Sequence, residues 1–198
     1  MKRVFFVTGG IASGKSSFMQ MASEQGFVCI SADKVAHQIL EQNGRELAEY
    51  LGISSFLQDG AVNRKKLGEL VFNDKSLRKK LENFMHPKIY AIITAWLAKQ
   101  NGVVFAEIPL FFESKNYENL GKVILIYAPK ELCLKRLMAR NDLNLNEANL
   151  RIKAQIDIEQ KRKLADIIIE NIGSNDEFKA KCTEFFEKLT KEKSCSIF

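Results

Sequence analysis

Gly9-Gly10-Ile11-Ala12-Ser13-Gly14-Lys15-Ser16 is the stretch that decides the fold, because it fits the pattern G-x-x-x-x-G-K-[ST] at every fixed position. The apolar residues 4–7 before it predict a strand, and residues 17–22 after it predict the opening of a helix. In a loop between two such elements, consecutive backbone N–H groups surround phosphate oxygens, and the helix N-terminus adds positive potential. A glycine-rich turn that fits the pattern by chance is the alternative, and the flanking strand and helix disfavour it.

Each part of this loop has an expected task. Lys15 should reach the β- and γ-phosphates of a nucleoside triphosphate, and the Ser16 hydroxyl should ligate Mg²⁺. The residues predicted to bind the nucleotide are Gly10, Ile11, Ala12, Ser13, Gly14, Lys15, Ser16 and Ser17. The motif predicts binding of nucleotide phosphates, but it does not identify the acceptor of a phosphoryl group.

Length and composition indicate one globular domain over residues 1–198. Hydrophobic residues make up 46% of the chain, which suits a buried core, yet no apolar run approaches the roughly 20 residues of a membrane span. No targeting segment is visible, so a cytoplasmic location is expected. The cysteines are scattered without a C-x-x-C pair, which predicts reduced thiols and neither a zinc site nor a disulfide framework. They are Cys29, Cys133, Cys182 and Cys195.

The charge balance is modestly basic, with 30 Lys and Arg residues against 24 Asp and Glu residues and a net charge of +6. A basic surface suits nucleic acid, and it equally suits small polyanionic substrates. Because most lysines alternate with acidic residues on predicted helices, we expect a solvated surface with a few arginines facing phosphates. The expected partners are small molecules, without nucleic acid or membrane, and the chain is expected to be a monomer or a weak homo-oligomer.

Unbroken apolar runs separated by helical segments predict an α/β fold, with a five-stranded parallel sheet covered by helices on both faces. The runs are residues 4–7, 27–30, 102–107, 122–128 and 166–170. In such a sheet, ligands gather at the carboxyl ends of the strands.

A long helical stretch interrupts the strand pattern. Residues 33–100 contain no clear strand, and helices are predicted over residues 35–50, 64–72 and 76–100. This stretch is long for a simple crossover between two strands. It indicates a separate helical lobe, about residues 34–100, that holds the second substrate.

A second helical stretch follows the fourth predicted strand. Residues 131–163 predict a helix, a polar tip at residues 141–144 and a second helix, which together indicate a lid over about residues 136–160. Asn144, followed three residues later by Glu147, predicts a capping box for the second helix. The last predicted helix, residues 176–193, carries an apolar stripe at helical spacing, which indicates packing against the core.

Two polar residues near predicted strand ends, and one in the predicted helical lobe, are candidates for chemistry. Asp33 follows the second strand and is either the carboxylate that deprotonates an acceptor hydroxyl or an N-cap for a helix over residues 34–40. Glu107 ends the third strand, where it holds Mg²⁺ or is simply a surface residue, and the pattern alone favours the surface residue. His86 precedes Pro87, which favours a helix start or a kink, so His86 is structural or contacts substrate.

Arginines are concentrated in the predicted lid. Arg136, Arg140 and Arg151, together with Gln155, follow the fourth strand. Arginine suits a transferring phosphoryl group because it is always charged and binds in a bidentate manner. Each one alone is typical of a solvated helix, but the group predicts that at least one contacts phosphate.

An ordered series of motifs resembles the dephospho-CoA kinase family over nearly the whole chain. The series comprises residues 8–16, Ser31-Ala32-Asp33, residues 64–72, His86-Pro87, residues 107–113, residues 151–155, residues 161–166 and Asn171-Ile172-Gly173. The resemblance implies transfer of the ATP γ-phosphoryl group to the 3′-hydroxyl of dephospho-CoA, the last step of coenzyme A synthesis, with ATP and Mg²⁺ as cofactors. It also implies a P-loop core with a helical CoA-binding lobe and a lid.

The resemblance also implies roles for individual residues. Asp33 corresponds to the catalytic carboxylate of the family's D-A-D motif, and Arg140 resembles the lid arginine that meets ATP phosphates. The implied catalytic residues are Asp33, Lys15 and Arg140. The implied substrate-binding residues are Asp33, Arg64, His86 and Glu113. The implied metal-binding residues are Ser16 and Glu107.

Three positions depart from the family's pattern. Ser31 replaces the first aspartate of D-A-D, so one carboxylate is lost there. Glu107 stands where aspartate is usual and keeps the charge on a longer side chain. Ala12 stands where glycine is common in the loop and adds one methyl group. None of the three removes the phosphate loop or the carboxylate of Asp33.

Two alternatives are open at this point. The first is a P-loop kinase of another small-molecule alcohol or nucleotide, such as a nucleoside or a shikimate-like acceptor. The second is a nucleotide-switch GTPase or a nucleic-acid-binding ATPase. The sequence disfavours the second, because it contains neither N-K-x-D nor D-x-x-G and shows no concentrated basic stripe.

Overall fold

The computed structural model describes residues 2–114 and 116–195, with side chains as far as Lys191. Strands in this part of the chain are β1 (Arg3–Gly9), β2 (Val28–Ser31), β3 (Leu57–Gln58), β4 (Ala61–Val62), β5 (Val103–Glu107), β6 (Lys122–Tyr127) and β7 (Ile167–Glu170). Helices are α1 (Lys15–Glu24), α2 (Ala32–Gln42), α3 (Gly44–Leu51), α4 (Arg64–Asn73), α5 (Lys75–Ala98), α6 (Phe111–Ser114), α7 (Lys130–Asn141), α8 (Leu145–Lys153), α9 (Ile158–Leu164) and α10 (Asn175–Cys195).

The five predicted apolar runs form one sheet in the order β2-β5-β1-β6-β7, which confirms the predicted fold class. Strand β1 pairs in parallel with β5 on one side and with β6 on the other. The register places Val7 beside Glu107 and Gly9 beside Ile126. The residues that follow β1 therefore emerge among the carboxyl ends of neighbouring strands, where an open α/β sheet binds its ligands.

Helices cover both faces of this sheet because its strands are apolar on both sides. On one face, Phe5 and Phe105 pack against Phe18 of α1 and Phe186 of α10. On the other face, Phe6 is fully buried against the ring of Phe111. The predicted apolar stripe of the last helix is confirmed: the residues packed on the core are Phe178, Cys182, Phe185, Phe186 and Leu189.

Residues 31–99 cluster as a compact unit of their own, and residues 1–30 and 100–198 form the other. Within residues 31–99, helices α2, α3 and α4 pack on the long helix α5. Asn63 caps α4 by accepting from Lys66 N, and Asp74 caps α5 by accepting from Ser76 N and Leu77 N.

Three details of residues 31–99 differ from the sequence-based prediction. The stretch contains a small antiparallel pair, β3 and β4, whose two-residue strands are too short to show a periodicity. The single helix predicted over residues 35–50 is two helices that meet at Asn43 and Gly44, both poor helix formers. Pro87 lies inside α5, so it does not start a helix.

The segment after β6 also has one more break than predicted. The tip predicted at residues 141–144 is present at residues 142–144, because α7 extends to Asn141. Asn144 and Glu147 form the predicted capping box at the start of α8. The second predicted helix is interrupted before Asp157, which caps α9 by accepting from Glu159 N. Within residues 2–114 and 116–195, none of the helices is long and apolar enough to cross a membrane.

Candidate active site

The loop between β1 and α1 is built around two glycines that no other residue could replace without displacing a neighbour. A Cβ atom on Gly9 would lie 2.5 Å from the carbonyl oxygen of Ile126, and one on Gly14 would overlap Nδ2 of Asn171. Gly14 also has a φ of 105°, which favours glycine. A turn from Ser13 N to Gly10 O, 3.2 Å, closes the loop between them. The two fixed glycines of the motif are therefore explained by packing as well as by backbone conformation.

Lys15 begins α1 and turns back onto its own loop. Its Nζ donates to the carbonyl oxygens of Gly9 (3.1 Å) and Gly10 (2.8 Å). Lys15, Ser16 and Ser17 are the first three residues of α1, and the first N–H groups of a helix have no partner within the helix. One ammonium group and several N–H donors thus meet at one helix N-terminus, an arrangement that binds anions.

Side chains from distant parts of the chain brace the loop. The Oε1 atom of Gln155 accepts from Ile11 N at 3.1 Å. The Nδ2 atom of Asn171 donates to the carbonyl oxygen of Ser13 at 2.9 Å, in a buried position. The loop is therefore held in shape by contacts from other parts of the protein.

The three lid arginines have different surroundings. Arg136 donates from Nη1 to the backbone oxygen of Asn171 and from Nη2 to its Oδ1, both at 3.2 Å. Arg140 is exposed, and its Nε donates to Oδ1 of Asn141 at 2.9 Å. Arg151 is exposed at the end of α8. Arg136 is thus engaged with the residue that braces the loop, while Arg140 and Arg151 lie at the surface.

Glu113 sits in a buried ion pair. Its Oε1 atom lies 2.7 Å from Nζ of Lys161, whose side chain is fully buried, and accepts from Ile156 N at 3.0 Å. Removing one partner of a buried pair costs on the order of 3–5 kcal/mol, because the other charge stays behind. The pair therefore fixes the start of α9 to α6. The other oxygen, Oε2, is buried and has no hydrogen-bond partner within the described residues.

Glu107 is the last residue of β5 and is only 8% exposed, so the interpretation of it as a surface residue is wrong. A carboxylate and the Ser16 hydroxyl are oxygen ligands of the kind that Mg²⁺ prefers. Within residues 2–114 and 116–195, no group of three or more His, Cys, Asp or Glu side chains could hold a metal ion.

The remaining predicted residues belong to residues 31–99. Asp33 is exposed in the first turn of α2, and Ser31 occupies the N-cap position, so the interpretation of Asp33 as an N-cap is wrong. Arg64 is exposed at the first position of α4, and His86 is exposed on α5. Asp33 follows the carboxyl end of β2 by two residues.

A cavity of about 240 Å³ opens beside the loop, between Gly10 and the turn before α9. Cys133 lines it, and burial raises the pKa of its thiol, so the thiol stays protonated at neutral pH. Burial also raises the pKa of Cys182 to about 12. Cys133 and Cys182 are free thiols, and Cys195 lies outside the described side chains.

Two contributors to this site went unrecognised in the sequence. Asn171 and Lys161 belong to the quoted motif series, but their contacts run to Ser13 and Glu113, far away in the chain. The position of Asn171 immediately after the apolar strand β7 was the available signal. A polar residue at the carboxyl end of a parallel strand is a candidate for the site at that edge of the sheet.

The chain is similar to known proteins over nearly its whole length. The family model described as CoaE, dephospho-CoA kinase, matches residues 3–177. A dephospho-CoA kinase of Campylobacter jejuni is 50% identical over 98% of this chain and 100% of its own length. A solved structure of dephospho-CoA kinase from Campylobacter jejuni, also 50% identical, covers 98% of this chain and 100% of that chain with a TM-score of 0.77. A shikimate kinase from Bacteroides thetaiotaomicron, 14% identical, covers 95% of this chain and 98% of that chain with a TM-score of 0.52, which shows a shared fold.

Proposed function

The chain belongs to the dephospho-CoA kinase family, and we propose that the loop from Gly9 to Ser16 is the ATP site at which it works. The enzyme transfers the γ-phosphoryl group of ATP to the 3′-hydroxyl of dephospho-CoA, forming coenzyme A and ADP. Phosphoryl transfer depends mainly on positioning and on stabilising charge, so the proposal assigns each residue one of these tasks.

The observation that carries the proposal is the braced loop. Gly9 and Gly14 are packed so closely that the backbone cannot relax, and Gln155 and Asn171 hold the peptide groups between them. Backbone N–H groups fixed in advance need no reorganisation when charge develops on the phosphates, which is the basis of electrostatic preorganisation. Lys15 is the mobile partner: its ammonium group exchanges loop carbonyl oxygens for phosphate oxygens when ATP binds.

Ser16 and Glu107 are the residues proposed to hold Mg²⁺. When bound, the ion neutralises charge on the β- and γ-phosphate oxygens. Glu107 belongs to β5, the neighbour of β1, so its backbone position is set by the same sheet that positions the loop. Its longer side chain keeps the charge where the family usually has aspartate.

Asp33 is the proposed general base for the acceptor hydroxyl. Its carboxylate is exposed and does not cap a helix, so it is available to accept a proton. It comes two residues after β2, a strand of the sheet that carries the loop. Ser31, in place of the family's first aspartate, leaves Asp33 as the carboxylate of that motif.

Arg140, Arg64, His86 and Glu113 are proposed to bind the two substrates. Arg140 is exposed on the last turn of α7 and would bind ATP phosphates when the lid of about residues 136–160 closes. Arg64 and His86 are exposed in the lobe of about residues 34–100, which is proposed to hold dephospho-CoA. Glu113 is the fourth residue of this set: its Oε1 atom is occupied by Lys161 and Ile156, and its Oε2 atom is buried, so a substrate would reach Oε2 only after the groups around it move.

An acceptor panel tests the proposed function. Purified protein with Mg-ATP is offered dephospho-CoA, pantetheine phosphate, adenosine and shikimate, and both ADP and the phosphorylated product are quantified. We expect turnover with dephospho-CoA alone, with the new phosphate on the 3′-oxygen. Lys15→Ala serves as the control against a contaminating kinase, since its preparation should lack the activity. Faster turnover with another acceptor would overturn the assignment.

A further inference from the structure

We propose that Asn171 is a positioning residue that orients the Gly14 N–H of the phosphate loop, and that Arg136 holds Asn171 in place. The inference rests on the proposed function of the loop as the ATP site. It assigns Arg136 a role different from the phosphate contact that its place in the lid predicts. The contacts that carry it lie within residues 1–30 and 100–198, which form one compact unit.

Asn171 holds the peptide group between Ser13 and Gly14. Asn171 Nδ2 donates to the Ser13 carbonyl oxygen at 2.9 Å, and this oxygen shares a planar peptide group with the Gly14 N–H. In a trans peptide, the C=O and the N–H point in opposite directions. Fixing the carbonyl oxygen toward Asn171 therefore fixes the Gly14 N–H away from it, as a donor for phosphate oxygen.

Asn171 also occupies the space next to Gly14. A side chain at this position would overlap Nδ2 of Asn171 and would lie 3.5 Å from the ring of Phe178. The amide group thus fills the volume next to Gly14 and also bonds to the preceding carbonyl. Asn171 is 5% exposed, so water has little access to replace that bond.

Contacts with Tyr127 and Arg136 keep the amide group of Asn171 in this orientation. Asn171 N donates to the carbonyl oxygen of Tyr127 at 2.7 Å, which ties the backbone to the end of β6. Arg136 donates to the backbone oxygen and to Oδ1 of Asn171, so the side-chain oxygen must face the guanidinium group. With Oδ1 facing Arg136, Nδ2 is left to face Ser13.

The chemistry of this position requires an amide. Asparagine supplies one donor group for the Ser13 carbonyl and one acceptor for Arg136. Aspartate would keep the shape and the bond to Arg136, but it would place a second acceptor against the carbonyl oxygen. Alanine would leave the Ser13 carbonyl buried without its partner, and an unsatisfied buried group costs about 5- to 150-fold in an equilibrium constant.

The experiment measures binding of two ligands by calorimetry, with Asn171→Ala and Asn171→Asp in the full-length chain. The ligands are a non-hydrolysable Mg-ATP analogue and inorganic Mg-tripolyphosphate, which has no base. We expect each variant to lower the affinity for both ligands by the same factor, about 10-fold, because the orientation of the phosphate-binding N–H changes. Asn73→Ala is the matched control: its amide donates to the carbonyl oxygen of Glu69 at 2.9 Å on an exposed helix, so its affinities should equal the wild-type values.

Three outcomes would overturn the inference. Loss of affinity for the ATP analogue alone would show that Asn171 acts on the base. Unchanged dissociation constants with a lower melting temperature or a lower binding stoichiometry would show a purely structural role. If the wild-type chain binds neither ligand, the proposed function fails together with the inference, whereas normal wild-type binding isolates a failure to Asn171.

A double-mutant cycle tests the role of Arg136. Arg136→Ala alone should weaken tripolyphosphate binding by at most the factor seen for Asn171→Ala. The double variant should lose no more tripolyphosphate affinity than Asn171→Ala does, because both changes remove the same contact to the loop. Additive losses would mean that Arg136 contacts the phosphates itself, and the holding role would be wrong.

Discussion

The phosphate loop and helix α8 of the predicted lid are held in opposite ways. The loop is fixed by Gln155 and Asn171, which reach it from 144 and 158 residues away in the chain. Helix α8 packs on its neighbour in the chain, α7, and is capped locally: Asn144 and Glu147 exchange two hydrogen bonds of 3.0 Å. Two leucines of α8, Leu145 at its start and Leu150 in its second half, are 53% and 57% exposed.

This difference indicates that moving the loop costs more free energy than moving α8. Displacing the loop would break buried hydrogen bonds and collide with packed groups, so its N–H donors stay in place. Displacing α8 leaves its capping box intact and uncovers little apolar surface, since the buried residue on this helix is Ala148. Segments with few buried contacts are the ones that open at low free energy, and lids are drawn from them.

The largest expected effect separates binding at the rigid loop from the transfer step. Asp33→Asn keeps the shape but removes the negative charge and the basicity, so kcat should fall by roughly 10²–10⁴-fold, nearer the lower value because the transition state is loose. ATP affinity should barely change, since the loop is untouched. Nucleotide binding and single-turnover transfer are measured on the same protein, with Asp176→Asn as the surface control. Normal transfer, or a defect confined to ATP binding, would place the base elsewhere.

The next effect tests Lys15, the residue proposed to move from loop carbonyl oxygens to phosphate oxygens. Lys15→Ala removes the ammonium group but leaves Gly9, Gly14 and their packing intact, so the fold should persist. Turnover should drop by about 10²-fold or more, as when a preorganised donor to the transition state is lost. Steady-state kinetics are compared with Lys188→Ala, which removes an exposed lysine of α10. A folded Lys15→Ala enzyme with near-normal kcat would contradict the assigned role of the loop.

The lid provides the third test. With a saturating ATP analogue, hydrogen exchange of residues 145–153 should slow by at least about 10-fold, because a ligand that binds the closed form lowers the open population. The segment ends at Arg136 and Gln155 already have partners, so we expect the change to concentrate between them. Peptides of α10 serve as the internal control. Equal exchange with and without nucleotide would show that α8 is as fixed as the loop.

The same contrast explains what the sequence predicts well. The five strands are apolar runs, the loop is a fixed motif, and the capping box of α8 joins residues three apart, so each is a local pattern. The bond from Asn171 to Ser13 joins residues 158 apart, and nothing in the local sequence states which carbonyl a polar side chain will meet. For the same reason, the sequence around Glu113 does not predict its ion pair with Lys161. It also does not distinguish Arg136 from Arg140, its exposed neighbour on α7. The dipeptide Asp59-Gly60 is a typical hairpin turn, but the strands on either side of it, β3 and β4, are too short to be predicted from alternating hydrophobicity.

The smallest expected effect concerns strain inside the rigid loop. Ala12 has a φ of 61°, a left-handed conformation that costs an L-residue about 1–2 kcal/mol. Ala12→Gly removes this strain but adds about 0.5–1 kcal/mol of chain entropy in the unfolded state, so a net gain of about 0.5–1 kcal/mol is expected. In a chain of this size, that raises the melting temperature by about 1–4 °C.

The matched control for this substitution is Ala95→Gly, made at an exposed position inside α5, where glycine lowers stability by about 1 kcal/mol. The two identical chemical changes should therefore shift the melting temperature in opposite directions. If both lower it, Ala12 is not strained, and the loop tolerates its methyl group because the surrounding bonds leave it room. If Ala12→Gly raises it while kcat stays constant, the braces from Gln155 and Asn171 are strong enough to hold the loop in its binding shape despite the strain.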